Sequence, residues 1–159
     1  MSRWPVGEAE IQAAIDKRDL ALAPPNPDHA LRLLAEAQSH VQSAKLITDI
    51  DPVAAYQIAY SGLRKACTAL LAYQGLRATH DGGHVIVFDA VEAQFNGPRG
   101  HQAFSNLQRF RQMRNSAEYP EAGVAPAVVE DVEDCIERTE QVLEASRKLL
   151  ESGQLSEFS

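Results

Sequence analysis

The chain has 159 residues, 45% of them hydrophobic and 23% charged, which is enough for one ordinary hydrophobic core and too short to need two. No apolar run approaches the roughly 18 to 20 residues of a bilayer span, and the opening MSRWPVGEAEIQ lacks the charged-then-apolar order of a secretory signal, so a cytoplasmic protein with no membrane partner is expected. The net charge of −7 argues against general attraction to nucleic acid, and Cys67 and Cys135, each in an apolar helical pattern, argue against a disulfide scaffold or a zinc module. No cofactor and no metal is expected.

Apolar spacings of three and four dominate and strict alternation is absent, which predicts an all-α, up-and-down helical bundle. Glu8 to about Leu22 carries Ile11, Ala14, Ile15 and Leu22 at helical spacing, and the prolines at 24, 25 and 27 then break it. Residues 1–27 are thus expected to form a helical arm with a stiff linker, pinned by Trp4 to the bundle or to a second subunit, ahead of a bundle over 28–152 and a tail over 153–159. A long helix is predicted from Asp28, as the capping residue, to Asp49, with Leu34, Ala37, Val41, Ala44 and Ile47 along one stripe. Asp51-Pro52 opens a second, which runs to Gly75 and packs antiparallel to the first. A shorter helix follows over residues 83–95. Pro98 to Tyr119 is predicted as one continuous helix stopped by Pro120, and Pro126 opens the last, along Val129, Val132, Cys135, Ile136, Val142 and Leu143.

Charge is unevenly spread. Between Ala93 and Ala117 stand Arg99, Arg109, Arg111 and Arg114 with no acid, whereas Glu118 to Ser159 is strongly acidic. An anion is therefore expected at the 93–117 stretch. With Arg111 at zero and about 100° per residue, Arg114 falls at about −60°, Glu118 at about −20°, Asn115 at about 40° and Tyr119 at about 80°, so these five share a side that borders the core stripe. Arg109, at about 160°, points away as a solvated side chain. Two arginines one turn apart present a fork of donors suited to phosphate oxygens, and the Asn115 amide and Tyr119 hydroxyl extend it. The same layout also fits interhelical ion pairing, through Glu118 or the acidic last helix.

On the segments AAYQIAYSGLRKACTALLAYQG, THDGGHVIVFDAV and RNSAEYP, residues 28–150 resemble the HEPN superfamily, the nucleotide-binding domains of higher eukaryotes and prokaryotes. The family's motif is an arginine followed after four to six residues by a histidine; here its positions fall on Arg114 and Tyr119, with Asn115 after the arginine. The resemblance implies an RNA- or nucleotide-binding homodimer, and in its catalytic branches a metal-independent endoribonuclease toxin paired with a nucleotidyltransferase antitoxin. Arg114 and Tyr119 are then the catalytic residues, and Arg111 and Asn115 bind the ligand. Tyrosine in place of histidine changes the chemistry, because a hydroxyl of pKa about 10 is a poor base at neutral pH. It serves instead as a hydrogen-bond donor, or as the hydroxyl that the nucleotidyltransferase modifies. The alternative, from a different class, is a non-catalytic helical interaction module.

Other residues carry weaker signals. His80 and His84 flank Asp81-Gly82-Gly83, where two glycines make the continuous helix of a His-x3-His metal site improbable; His84 is free to reach the arginine side in space. Arg64 and Lys65 form a basic pair, either solvated or at a phosphate rim. Tyr56 and Tyr60, one turn apart, suit base stacking or core packing.

Overall fold

Two helix starts marked by proline set the bundle's frame. In the computed structural model, which describes residues 4–97, 102–118 and 126–158, the Asn26 side chain accepts the His29 N–H at 3.0 Å and Pro27 fills the first position of helix α2 (Pro27–Ile47). Asp51 does the same for Ala54 at 3.1 Å, ahead of Pro52 in α3 (Pro52–Gln74). Each proline lacks an N–H that would have no intrahelical partner there. The cap of α2 is thus Asn26 and not the expected Asp28, because the proline between them already has helical geometry.

The start of α2 lies against the end of α3, with the Asn26 N–H donating to the Ala72 carbonyl at 3.0 Å, so the pair is antiparallel as expected. Small residues let the two backbones approach. Ala30, Ala37, Ala44, Ala55, Ala59 and Ala66 are fully buried, and a Cβ on Gly62 would stand 3.2 Å from the Ala37 carbonyl oxygen. Helix α6 (Val129–Glu151) covers both through Val132, Cys135, Thr139, Val142 and Leu143, all buried. It begins at Val129, past Pro126, where the Val128 N–H donates to the Asp131 carboxylate at 2.9 Å. A valine side chain cannot accept, so only this half of a capping box exists.

The described chain is otherwise all-α except for one ribbon. The first helix, α1, spans Glu8–Asp16 and stops short of the expected Leu22. Arg18 takes a positive φ of 66°, and Leu20–Leu22 forms β1, antiparallel to β2 (Leu76–Ala78). Three residues are too few to show alternation, and the partner strand is more than 50 positions away, so local periodicity could not reveal the pairing. The N-terminal segment packs on the bundle itself: Ile11 and Leu20 are 1% exposed, Trp4 Nε1 donates to the Gln94 carbonyl at 2.9 Å, and its ring lies 5.4 Å from that of Phe95. At the other end Leu155 and Phe158 are buried, and the Phe158 N–H donates to the Gln74 carbonyl.

Helix α4 (Gly83–Phe95) lies where expected. The expected single helix from Pro98 does not form. A 3₁₀ turn (Gln102–Phe104) precedes α5 (Gln108–Glu118), and Asn106 between them has a φ of 51° while its N–H donates to Glu92 Oε1 at 2.9 Å. Asparagine tolerates this left-handed geometry better than most residues. The interruption seats Phe104, Leu107 and Phe110 in the core together, each no more than 1% exposed. No helix of the described residues is long and apolar enough to cross a membrane.

Candidate functional site

Helix α5 divides its arginines between two sides. Arg109, expected to be solvated, turns to α6: both its Nη atoms donate to the two oxygens of Asp134, and its guanidinium carbon stands 4.0 Å from the centre of the Phe110 ring. The carboxylate raises its pKa further above the ordinary value. Arg138 of α6 adds a second tie, donating to the carbonyls of Ala103 and Ser105. Arg109 thus anchors α5 to α6, and Arg138 anchors the segment ahead of α5, so the interhelical pairing expected of Arg111 or Arg114 is made by Arg109 with Asp134. Their pairing is half exposed, with side-chain exposures of 41% and 47% at Arg109 and Asp134. Arg109→Ala should therefore lower stability by only about 1 kcal/mol or less and leave ligand binding unchanged, as thermal melts and a binding titration on the same sample would check.

Arg111, Arg114 and Asn115 lie on another side, all half-buried. Arg111 Nε donates to Gln108 Oε1 at 2.8 Å, and Gln108 in turn donates to the Val85 carbonyl and to Asp89 Oδ1, each at 2.8 Å. This chain of bonds fixes Arg111 against α4 through its Nε. Arg114 Nη1 is 3.3 Å from Asn115 Oδ1, and its guanidinium carbon stands 5.7 Å from the centre of the Tyr60 ring, within cation–π range. Tyr119, the expected catalytic hydroxyl, lies outside the described residues, as do Arg99 and His101.

What the arginines converge on is a pair of residues from the other two helices. Tyr60 of α3 is 2% exposed, and its hydroxyl lies 3.4 Å from His84 Nδ1 in the first turn of α4. Phe88 meets the Tyr60 ring edge-on at 5.8 Å and holds it. Burial pushes the Tyr60 hydroxyl up to about 12 although Arg114, Arg64 and Arg111 pull the other way, so at neutral pH it keeps its proton and can donate to Nδ1. In that tautomer His84 Nε2 carries the hydrogen and is a donor toward solvent. Burial first, and then Arg64, Arg114 and Arg111, lower the His84 pKa below its ordinary 6.5, so the imidazole is neutral in the free protein at pH 7. Neither Arg64 nor Arg111 has a carboxylate partner among the described residues.

Arg114 thus lies over the Tyr60 ring, Arg64 shares a groove with His84, and Arg111 acts on both electrostatically, while α4 has no side-chain cap at its N-terminus to consume the local positive potential. The arrangement suits a phosphate: convergent charge, a fork of Nη donors, and a neutral imidazole that gains a proton easily once an anion is beside it. Arg111, Arg114 and Asn115 come together as expected. Tyr60, His84 and Arg64 complete the group, although in the sequence each had a second explanation. Tyr56 and Tyr60 are too buried to stack a base. Tyr56 instead donates to the Phe110 carbonyl at 3.0 Å and joins α3 to α5. His80 is fully exposed, 3.9 Å from Asp81, and Lys65 pairs with Glu36 at 2.8 Å while also meeting His40 at 2.9 Å, which leaves Arg64 as the half of that basic pair that faces the site.

No family model, no curated protein and no solved structure matches this chain.

Proposed function

We propose that the protein binds RNA or a nucleotide by holding a phosphate group among Arg111, Arg114, Arg64 and His84, with Asn115 orienting the ligand. The observation that carries this is the stacking of Arg114 over Tyr60, whose hydroxyl lies 3.4 Å from His84, with Arg64 beside His84 on one groove. Guanidiniums gathered on one side repel one another, and an anionic ligand offsets that repulsion. The likeness of RNSAEYP to the HEPN arginine motif supplies the finer reading: a homodimeric, metal-independent endoribonuclease of the toxin type, with Arg114 stabilising the phosphorane, Tyr119 as hydrogen-bond donor or modification site, and a nucleotidyltransferase antitoxin as partner. The second reading, a helical interaction module, is favoured by one observation only. Arg109 and Arg138 are used as ties between helices, and on that reading the remaining arginines are too.

The pH dependence of binding distinguishes them. The groups that face His84 are Tyr60 and Arg64 from α3 and Arg111 and Arg114 from α5. The arginines disfavour the imidazolium in the free protein, and a bound phosphate favours it, so by linkage the complex takes up a proton that the free protein lacks. Affinity for single-stranded RNA or for a nucleoside monophosphate should therefore tighten as pH falls below 7, and His84→Gln should flatten that slope. An affinity independent of pH in the wild-type protein would count against a phosphate beside His84.

A further inference from the structure

Next to the arginine cluster, on the far side of Arg64 and His84, a groove of about 530 Å³ runs between α3, the β1–β2 ribbon and the start of α4. Its wall on α3 is made by Arg64, Thr68 and Ala72, which stand on successive turns and cover about 12 Å of helix axis. Leu76 and Val87, both buried, give the facing side an apolar surface. Arg64 and the exposed Arg77 border it as permanent cations, His84 and the exposed His29 add two imidazoles, and among the described residues no carboxylate lines it. In a chain with 22 acidic residues against 15 lysines and arginines, a groove whose charged side chains are all cationic favours anions. The size lies within the range of small-molecule sites, roughly 300 to 1,000 Å³. A second groove, between α2 and α6, contrasts with it: Asp49, Glu133, Glu137, Glu140 and Glu144 border that one, with Lys45 as the cation among its described lining residues.

We propose that the groove between α3, the ribbon and α4 is a second binding site, for a small organic anion with an apolar body, whose charged group lies toward Arg64 and His84 and whose body lies on Thr68, Ala72, Leu76 and Val87. The apolar wall supplies burial, and the basic border supplies a preference for anions over neutral molecules of the same shape. Arg64 and His84 border both this groove and the arginine cluster, so occupancy of the groove and of the cluster is coupled through them. The groove is nonetheless lined without Arg111 or Arg114, so its ligand does not require a phosphate on α5, and a phosphate that engages Arg64 and His84 weakens its binding.

Titration with the fluorescent aromatic sulfonate anilinonaphthalenesulfonate tests this on the intact chain. The expected result is saturable binding at one site, about tenfold tighter than that of the uncharged N-phenylnaphthylamine. Thr68→Trp, which fills the groove from α3, should weaken it by about tenfold or more. Arg77→Glu should weaken it severalfold; the side chain is exposed, so this variant reads charge without threatening the core and decides the matter if Thr68→Trp does not fold. Arg114→Gln should lower the affinity for a nucleoside monophosphate far more than that for the sulfonate, whose groove Arg114 does not line, which separates failure of this site from failure of the phosphate cluster. Absence of saturable binding, equal affinity for the charged and uncharged probes, or indifference to Arg77→Glu in folded protein would each overturn the proposal.

Discussion

Arg114→Gln should weaken the binding of single-stranded RNA or of a nucleoside monophosphate by about tenfold or more, while costing about 1 kcal/mol or less of stability. The loss is large because a guanidinium meets a phosphate with paired, charge-assisted hydrogen bonds, which a neutral amide of similar length cannot replace. The stability cost is small because Arg114 is only half-buried and exposed ion pairs and hydrogen bonds of this kind contribute little, while Tyr60 stays packed edge-on against Phe88. The interaction-module reading expects the reverse. An arginine that ties helices together through a partly buried pair would take about 1 to 3 kcal/mol with it and leave no ligand effect to lose. Comparing Arg114→Gln with Arg109→Ala in the same assays separates the two sides of α5. Tyr119→Phe divides the binding reading further, since it keeps the ring: loss of RNA cleavage with binding retained would assign the Tyr119 hydroxyl to chemistry.

The largest effect on stability is expected at Gly75. This residue ends α3 with a φ of 79°, a conformation that L side chains rarely adopt, and its N–H closes the helix on the Ala72 carbonyl. Its own carbonyl accepts the Ala23 N–H at 2.9 Å, which starts the pairing of the N-terminal segment with the chain that leads into β2. A Cβ would stand 2.7 Å from the Ala23 carbonyl oxygen and 3.1 Å from Pro25 Cγ. The left-handed geometry alone costs about 1 to 2 kcal/mol for alanine, and the overlap with backbone cannot be relieved by turning a side chain. Gly75→Ala should therefore destabilise the protein by about 2 to 4 kcal/mol, measured by denaturant unfolding. Because the same turn directs β2 and the following segment toward His84, residual folded protein should also bind anions more weakly.

The contrast between these two positions shows what the sequence displayed and what it hid. Helix limits governed by local chemistry were legible: Asp51-Pro52 and Gly75 bound α3 as expected, and the α4 range follows from Asp81-Gly82-Gly83 and Asn96-Gly97. Features that depend on a distant partner were not. The β1–β2 ribbon joins residues more than 50 positions apart, and Asn106 breaks the expected helix because its left-handed turn lets Phe104 and Phe110 reach one core. The site divides in the same way. Angles along one helix were enough to group Arg111, Arg114 and Asn115, but Arg109 was misjudged as solvated because its partner, Asp134, sits on another helix. The sequence leaves His84 free to reach the arginines and Tyr60 open between stacking and packing, and the packing of α3, α4 and α5 decides both by setting Tyr60 against His84 and under Arg114.

The phosphate claim is tested most directly at the His84 ring, whose pKa can be followed by nuclear magnetic resonance with and without inorganic phosphate or a nucleoside monophosphate. In the free protein the ring should titrate below the ordinary 6.5, held there by burial against Tyr60 and by Arg64, Arg114 and Arg111. Saturating ligand should move the titration upward, because the anion reverses the local charge, and Arg114→Gln should reduce that shift at a given ligand concentration. A His84 titration that stays in place when ligand saturates the protein would mean that no phosphate sits among these side chains.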